Sequence, residues 1–257
     1  PDKKGARWES VRLAALQRDT LAAVPVARVS AEDVAAWRDR RLKRVSPSSV
    51  NRELNLLSSV FEAARREWRL MAANPVRDVR RPRNPRPRDA RYSDDEIERI
   101  CLALGYEGGA AQTRQQQVAV AFLLALETAM RLGELQALRW ADVHLDQRYL
   151  TIRDSKNDDR RDVPLSRRAV ALFRALSGDR PGVFDFSRDV ASVLFRRARL
   201  QAGVHDRTFH DARHQAITEL ARKLDILDLA RMIGHRDVRS LQVYYNPTAS
   251  EIADRLG

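Results

Sequence analysis

Four places in this sequence hold polar side chains that a packed core would not select. The first is Thr128-Ala-Met-Arg131-Leu-Gly-Glu134, where an arginine ends a very apolar stretch three residues before a glutamate. Alone it reads equally as a helix-end ion pair between Arg131 and Glu134. The second is Lys156, with Lys223 one of two lysines after residue 91 in a chain that otherwise uses arginine. A lone lysine in a turn can simply be solvated, yet lysine releases a proton where arginine cannot. The third is Phe209-His210-Asp-Ala-Arg213-His214, which at helical spacing puts His210, Arg213 and His214 on one face. His210 and His214 have the spacing of a metal-binding pair, but Asp211 stands where a zinc-protease helix carries its glutamate, so no metal is expected. The fourth is Gly234-His235 followed by Tyr244-Tyr245, where packing is the alternative to chemistry. Taken together, two guanidiniums form a fork for the non-bridging oxygens of a phosphodiester. A phenol attacks phosphorus once its proton is taken. The lysine can protonate the departing alkoxide. Such a set supports phosphoryl transfer through a tyrosyl ester, with no metal and no cofactor.

These residues need elements to hold them. Ser93-Asp-Asp-Glu96 has the form of a capping box, opening a helical region that includes the apolar run Val118 to Leu126. A short helix is expected from Gly133 to Leu138. Tyr149-Leu-Thr-Ile-Arg153 and Arg161-Asp-Val-Pro-Leu165 flank a polar, turn-rich segment and read as a β-hairpin with Lys156 at its tip. After Ser166 the pattern is helical again, in four or five segments. Ahead of this region, Ser30-Ala-Glu-Asp33 forms another capping box and Ser46-Pro47 another helix start. Behind Pro47, the positions Val50, Leu54, Leu57, Phe61 and Ala64 make a helical stripe that should end near Trp68. An earlier helix is expected from Trp8 to about Ala22. Between the halves, Arg77 to Arg91 holds seven arginines and three prolines, which predicts an extended cationic linker.

Composition bounds the rest. The 257 residues fit one large or two ordinary domains, and 44% hydrophobic content suffices for real cores. The most apolar stretch is too short to span a bilayer, no secretory leader pattern is visible, and the single cysteine, Cys101, excludes a disulfide framework. A cytoplasmic protein with no membrane partner is expected. Net charge is +12, unevenly placed: residues 1–91 carry 22 cations and 11 anions, and residues 92–257 carry 25 and 24. One half is built to meet a polyanion, and nucleic acid fits better than a membrane surface because the basic half lacks a strongly apolar face.

The order Arg131 in Arg-Leu-Gly-Glu-Leu, Lys156 in a hairpin, His210-x-x-Arg213, Gly-His235 and a tyrosine nine residues later resembles the tyrosine recombinase, or phage integrase, family. The first half resembles that family's helical core-binding domain, ahead of which many integrases carry an arm-binding domain. Tyr-Tyr-Asn-Pro-Thr and Val-Ser-Pro-Ser-Ser-Val-Asn-Arg-Glu-Leu are most similar to phage and plasmid integrases and to shufflon-type DNA invertases. The resemblance implies a mainly α, two-domain DNA clamp. Its parts would be a core-binding domain at 1–82, a basic linker at 83–91 and a catalytic domain at 92–257 with a small antiparallel sheet and a tail helix near 249–256. It implies that Arg131 and Arg213 clamp the scissile phosphate, Lys156 protonates the 5′ leaving group, and His210 assists the nucleophile's proton. His235 would hydrogen-bond the phosphate, Tyr244 form a 3′-phosphotyrosine, and Glu134 support the active-site arginine; Tyr245 is the rival nucleophile. Arg77, Arg80, Arg81, Arg83, Arg86, Arg88 and Arg91 would bind DNA. The implied partners are double-stranded DNA with specific recombination sites, three further copies in a tetramer assembled on DNA, and accessory DNA-bending proteins, in a bacterial, phage or plasmid setting. The apolar tail stripe Ala249, Ile252, Ala253, Leu256 would dock on a neighbouring subunit or on its own domain. Three other readings share the fold or the chemistry: a non-catalytic DNA-binding protein, a type IB topoisomerase and a hairpin telomere resolvase.

Overall fold

In the computed structural model, six helices begin at a serine or threonine whose hydroxyl accepts from the backbone N–H three residues on: Ser30, Ser46, Ser93, Thr113, Ser166 and Ser187. Each cap satisfies a donor that a helix N-terminus would otherwise leave unpaired. The structure describes residues 5–85, 91–153, 160–176, 178–235, 237–241, 244 and 253. The chain divides into two units, Pro1–Arg88 and Asp89–Gly257.

The first unit holds α1 (Ala6–Leu16), α2 (Ala31–Leu42) and α3 (Pro47–Arg66). The stripe on α3 is buried as its spacing requires, and Val50, Leu54, Leu57 and Phe61 pack with Val34 and Trp37 of α2. At roughly 1.5–3 kcal/mol for each large apolar side chain, this face outweighs any intrinsic propensity of the helices. α1 stops earlier than the sequence pattern suggests, because the Asp19 carboxylate accepts from Leu21 N at 3.0 Å and starts a 3-10 turn over Thr20–Ala23. The Arg/Pro segment also differs from expectation. Its start is a 3-10 turn, Pro75–Asp78, and Val79 lies in the core. Beyond that, Arg38 donates to the Arg80 carbonyl at 2.7 Å, and Asn51 donates to the Pro82 carbonyl at 2.8 Å and to Asn84 Oδ1 at 2.9 Å. The backbone from 80 to 84 is free of helix and strand, as its prolines demand, but it is bound to α2 and α3 and is no free tether.

The second unit is built round α5 (Arg114–Thr128), whose residues Gln117 to Ala125 are all buried. A helix apolar on every side must be surrounded, and α5 packs against α4 (Asp94–Ala103), α7 (Arg167–Arg174), α8 (Arg188–Gln201) and α9 (Phe209–Leu220). Phe122 meets the rings of Tyr92, Phe195 and Phe209 with centroids 4.9–6.0 Å apart. The remaining helices are α6 (Leu132–Gln136) and α10 (Ile226–Ile233). The hairpin is present as β2 (Tyr149–Ile152) and β3 (Arg161–Pro164), antiparallel with Leu150 opposite Val163. A further two-residue strand, β1 (Val143–His144), pairs on the other side of β2, so the sheet order is β1-β2-β3. Lys156 and the hairpin tip lie outside the described residues, as do Arg86, Arg88, Tyr245, Ala249, Ile252 and Leu256. Among the described residues no helix is long and apolar enough to cross a membrane.

Candidate active site

Two helix C-termini meet at one buried arginine. α5 ends at Ala129 in the left-handed conformation, and α10 ends at Gly234, also left-handed. The last carbonyls of a helix lack internal partners and carry the negative end of its dipole. Arg213 of α9, only 3% exposed, donates to the Ala129 carbonyl from Nη1 and to the Ile233 carbonyl from Nη2. Arg161 of β3 donates from Nε to the Met232 carbonyl at 3.0 Å. One helix end therefore takes up two guanidiniums, and these fix its position against α9 and the sheet. Gly234 is required here, since a Cβ at that residue would lie 3.0 Å from Arg161 Nη1.

The left-handed turn at Ala129 reverses the chain into α6 and places Arg131 at its start. Arg131 Nη1 donates to Glu134 Oε1 at 2.7 Å, while Glu134 Oε2 accepts from Arg131 N at 2.9 Å and Arg161 Nη2 at 2.8 Å. Burial alone would raise the Glu134 carboxyl. The hydrogen bond and charge of Arg161, followed by the bonds from Arg131, instead hold it below the usual carboxylate range. One carboxylate is thus shared by two arginines, with the third, Arg213, close by. Burial and the neighbouring Arg131 lower Arg213 to about 10, still far above neutrality. The excess of fixed positive charge suits an anion.

Arg131, Glu134, His210 and Arg213 line a single cavity of about 720 Å³, together with Arg188, Ser192, Arg196 and Arg199 from α8. Partial desolvation at this cavity, then the charges of His214, Arg213 and Arg131, push His210 below its ordinary value. His235 follows Gly234 and is lowered in the same way, by burial and then by Arg213, Arg131 and Arg161. Tyr244 is half-buried; burial raises its phenol and Arg213 pulls it back in part. Its hydroxyl shares a hydrogen bond of 2.6 Å with His214 Nδ1, one helical turn from His210. His210 lines the arginine cavity, and His214, four residues further along α9, meets the Tyr244 hydroxyl outside that lining.

The basic segment is less uniform than its sequence. Arg77 donates to Glu62 at 3.1 Å, and Arg81 donates to the Asn51 carbonyl at 3.4 Å. Arg80, Arg83 and Arg91 are exposed. Three features escaped the sequence reading. Arg161 shares strand parity with the buried Val163 and Leu165, a readable sign of an inward charge. Arg188, Ser192, Arg196 and Arg199 repeat at 4, 4 and 3, a polar helical face. His214 gave only its spacing from His210.

Residues 91–251 match the model of the phage integrase family, and residues 5–83 match its N-terminal domain. The chain belongs to the phage integrase family. Members of this family, the tyrosine recombinases, are site-specific recombinases. A Haemophilus influenzae protein of the integrase/recombinase class is 36% identical, over 97% of this chain and 70% of its own length. The shufflon-specific DNA recombinase of Escherichia coli is 33% identical, over 99% of this chain and 67% of its own length. Among solved structures, the Tn1549 transposon integrase in complex with circular intermediate DNA has a TM-score of 0.75 at 19% identity, covering 99% of this chain and 94% of that one. A lambda integrase tetramer bound to a Holliday junction has a TM-score of 0.76 at 20% identity, covering 96% and 72%. These structures share the integrase fold with the present chain, mainly helical with a small antiparallel sheet.

Proposed function

We propose that this chain cuts and rejoins specific sites in double-stranded DNA through a 3′-phosphotyrosine. The observation that carries the reading is the convergence of Arg131, Arg213 and His210 on one cavity, with the Tyr244 phenol hydrogen-bonded to His214 one turn further along α9. Arg131 and Arg213 hold the non-bridging oxygens of the scissile phosphate, fixed beforehand by Glu134 and by helix-end carbonyls. Such preorganised charge stabilises the crowded phosphorus at no cost in reorganisation during the reaction. His235 adds a hydrogen bond to the phosphate. Tyr244 attacks, the P–O5′ bond breaks, and Lys156 gives its proton to the leaving oxygen. The tyrosyl ester keeps the bond energy, so a 5′-hydroxyl from a second strand can reverse the step without nucleotide or cofactor. Two rounds of exchange pass through a Holliday junction, in a tetramer assembled on DNA in the cytoplasm of a bacterial cell. Residues 1–82 act as the core-binding domain. The exposed arginines of segment 83–91, and the face of α8 beside the cavity, track neighbouring phosphates.

The test is a selection on nicked duplexes with a randomised core, in which cleavage releases a short strand and traps the adduct. A covalent protein–DNA adduct on Tyr244, formed in EDTA and absent from Arg213→Ala, is the expected result. An adduct that needs added magnesium, or none at all, overturns the reading.

A further inference from the structure

We propose that Arg161 is a positioning residue that ties the hairpin carrying Lys156 to Arg131 and to His235. Acid and phosphate clamp then move as one piece. The proposal deepens the reading of the cavity as a phosphodiester site and rests on it. Arg161 opens β3 and pairs with Ile152 of β2, the rung from which the chain runs out to Lys156. Its side chain turns inward, 7% exposed, and reaches two other elements. Nη2 donates to Glu134 Oε2 at 2.8 Å, and the other oxygen of that carboxylate accepts from Arg131 Nη1 at 2.7 Å. Nε donates to the Met232 carbonyl at 3.0 Å, three residues before His235. The guanidinium also lies against Gly234, where a Cβ would come within 3.0 Å of Nη1 and 3.1 Å of Cζ. The hairpin, the clamp arginine and the turn before His235 therefore share one planar group.

Folding alone does not call for an arginine here. Position 161 shares its strand face with Val163 and Leu165, both buried, and an apolar side chain would fill it. Replacing a buried ion pair by apolar side chains of similar volume is often neutral or stabilising, because both charges have been taken out of water. The remaining donor group, Nη1, is buried without a hydrogen-bond partner, which costs the fold further. What the arginine supplies is direction. A guanidinium bonds in one plane at fixed angles, so Glu134 and the end of α10 are held at a set separation; an ammonium on a flexible stem does not do this. Arg213 leaves the task open, since its two donors go to the Ala129 and Ile233 carbonyls. The charge of Arg161 also reaches His235, which burial and then Arg213, Arg131 and Arg161 hold below the ordinary 6.5. His210 owes its own lowering to burial, His214, Arg213 and Arg131, with Asp211 opposing.

The experiment uses the full chain and the nicked duplex recovered by the selection above, with the adduct rate and an NMR titration of the histidine rings as readouts. Arg161→Met keeps the bulk and loses both bonds. It should form adduct roughly 10²-fold more slowly, the scale of a misplacement of about 1 Å at a reacting group. His235 should titrate nearer 6.5 than in the parent, while His210 moves much less. Arg161→Lys keeps the charge without the fork, so His235 should titrate as in the parent while adduct forms about tenfold more slowly. A parent rate in either variant overturns the assignment and leaves the phosphotyrosine reading standing. Equal movement of His210 and His235, the mark of a loosened unit, does the same. If Arg161→Met does not fold, the rate of Arg161→Lys decides alone. A parent chain that forms no adduct overturns the cavity reading and this proposal with it.

Discussion

Glu62 in the first unit and Glu134 in the second each accept hydrogen bonds from more than one arginine, and the two clusters make an instructive pair. Glu62 gathers Arg65, Arg66 and Arg77, with Asn74, and is pushed down to about 2, chiefly by the hydrogen bond from Arg65. Its arginines extend into solvent, where water and salt screen them and their long side chains lose entropy on pairing. Glu134 holds Arg131 and Arg161 with its own side chain 6% exposed. There Glu134 and Arg161 are both already desolvated, so removing the carboxylate strands the buried guanidinium. The same chemistry organises a surface in one place and fixes the geometry of the proposed active site in the other.

The sharpest way to break this contrast is to delete both carboxylates separately. Glu134→Ala should lower the unfolding free energy of the second unit by ~3–5 kcal/mol, the scale for breaking a buried ion pair. Adduct formation should fall roughly 10²-fold or more as Arg131 loses its fixed direction. Glu62→Ala should cost the first unit much less, because its arginine partners reach into solvent and are screened there. Because two units need not unfold together, residue-resolved hydrogen exchange is the suitable measurement. Equal losses from the two variants would erase the distinction.

Acid titration should sharpen it further. All five histidines lie in the second unit. His210 and His235 are both held below the ordinary 6.5, so between that value and their folded values the unfolded chain binds more protons than the folded one. Stability of the second unit should therefore fall as pH drops from about 6.5, and His210→Gln/His235→Gln together should flatten the fall. The first unit has no histidine, and the depressed Glu62 contributes stability that is present above 4.5 and is lost as pH falls toward about 2. Hydrogen exchange at pH 7.0 and 5.5 would then separate the units. A first unit that weakens as much as the second over this range would contradict the assignment.

What could be read from sequence follows the range of the interaction involved. The capping boxes at Ser30 and Ser93, the α3 stripe and the hairpin strands are set by residues within a few positions of each other, and all are present. β1 has two residues and owes its existence to pairing with β2, so no periodicity could announce it. The binding of residues 80–84 to α2 and α3 depends on Arg38 and Asn51, more than thirty positions away. In the site, residue types were legible because their chemistry is unusual in company. Arg161 was hidden among 42 arginines, and His214 acquires its meaning only when the chain returns to it thirty residues later with Tyr244.

The smallest expected effect compares two left-handed residues that are not glycine. Arg69, at φ 52°, follows α3 and is exposed; Ala129, at φ 54°, ends α5 and is wholly buried. A left-handed residue with a Cβ costs ~1–2 kcal/mol, and glycine removes that strain at the expense of greater freedom when unfolded. At Arg69 little packing is lost, so Arg69→Gly should stabilise the first unit by ~0.5–1 kcal/mol. At Ala129 the lost methyl was buried, which offsets about 0.8 kcal/mol of the relief. Arg213 donates to the same carbonyl whichever residue stands there, so the turn keeps its shape. Ala129→Gly should therefore be nearly neutral in stability and form adduct at the parent rate. A gain at Ala129 equal to that at Arg69 would mean the buried methyl contributes nothing. A large loss of cleavage would mean the methyl, and not Arg213, holds Arg131 in place.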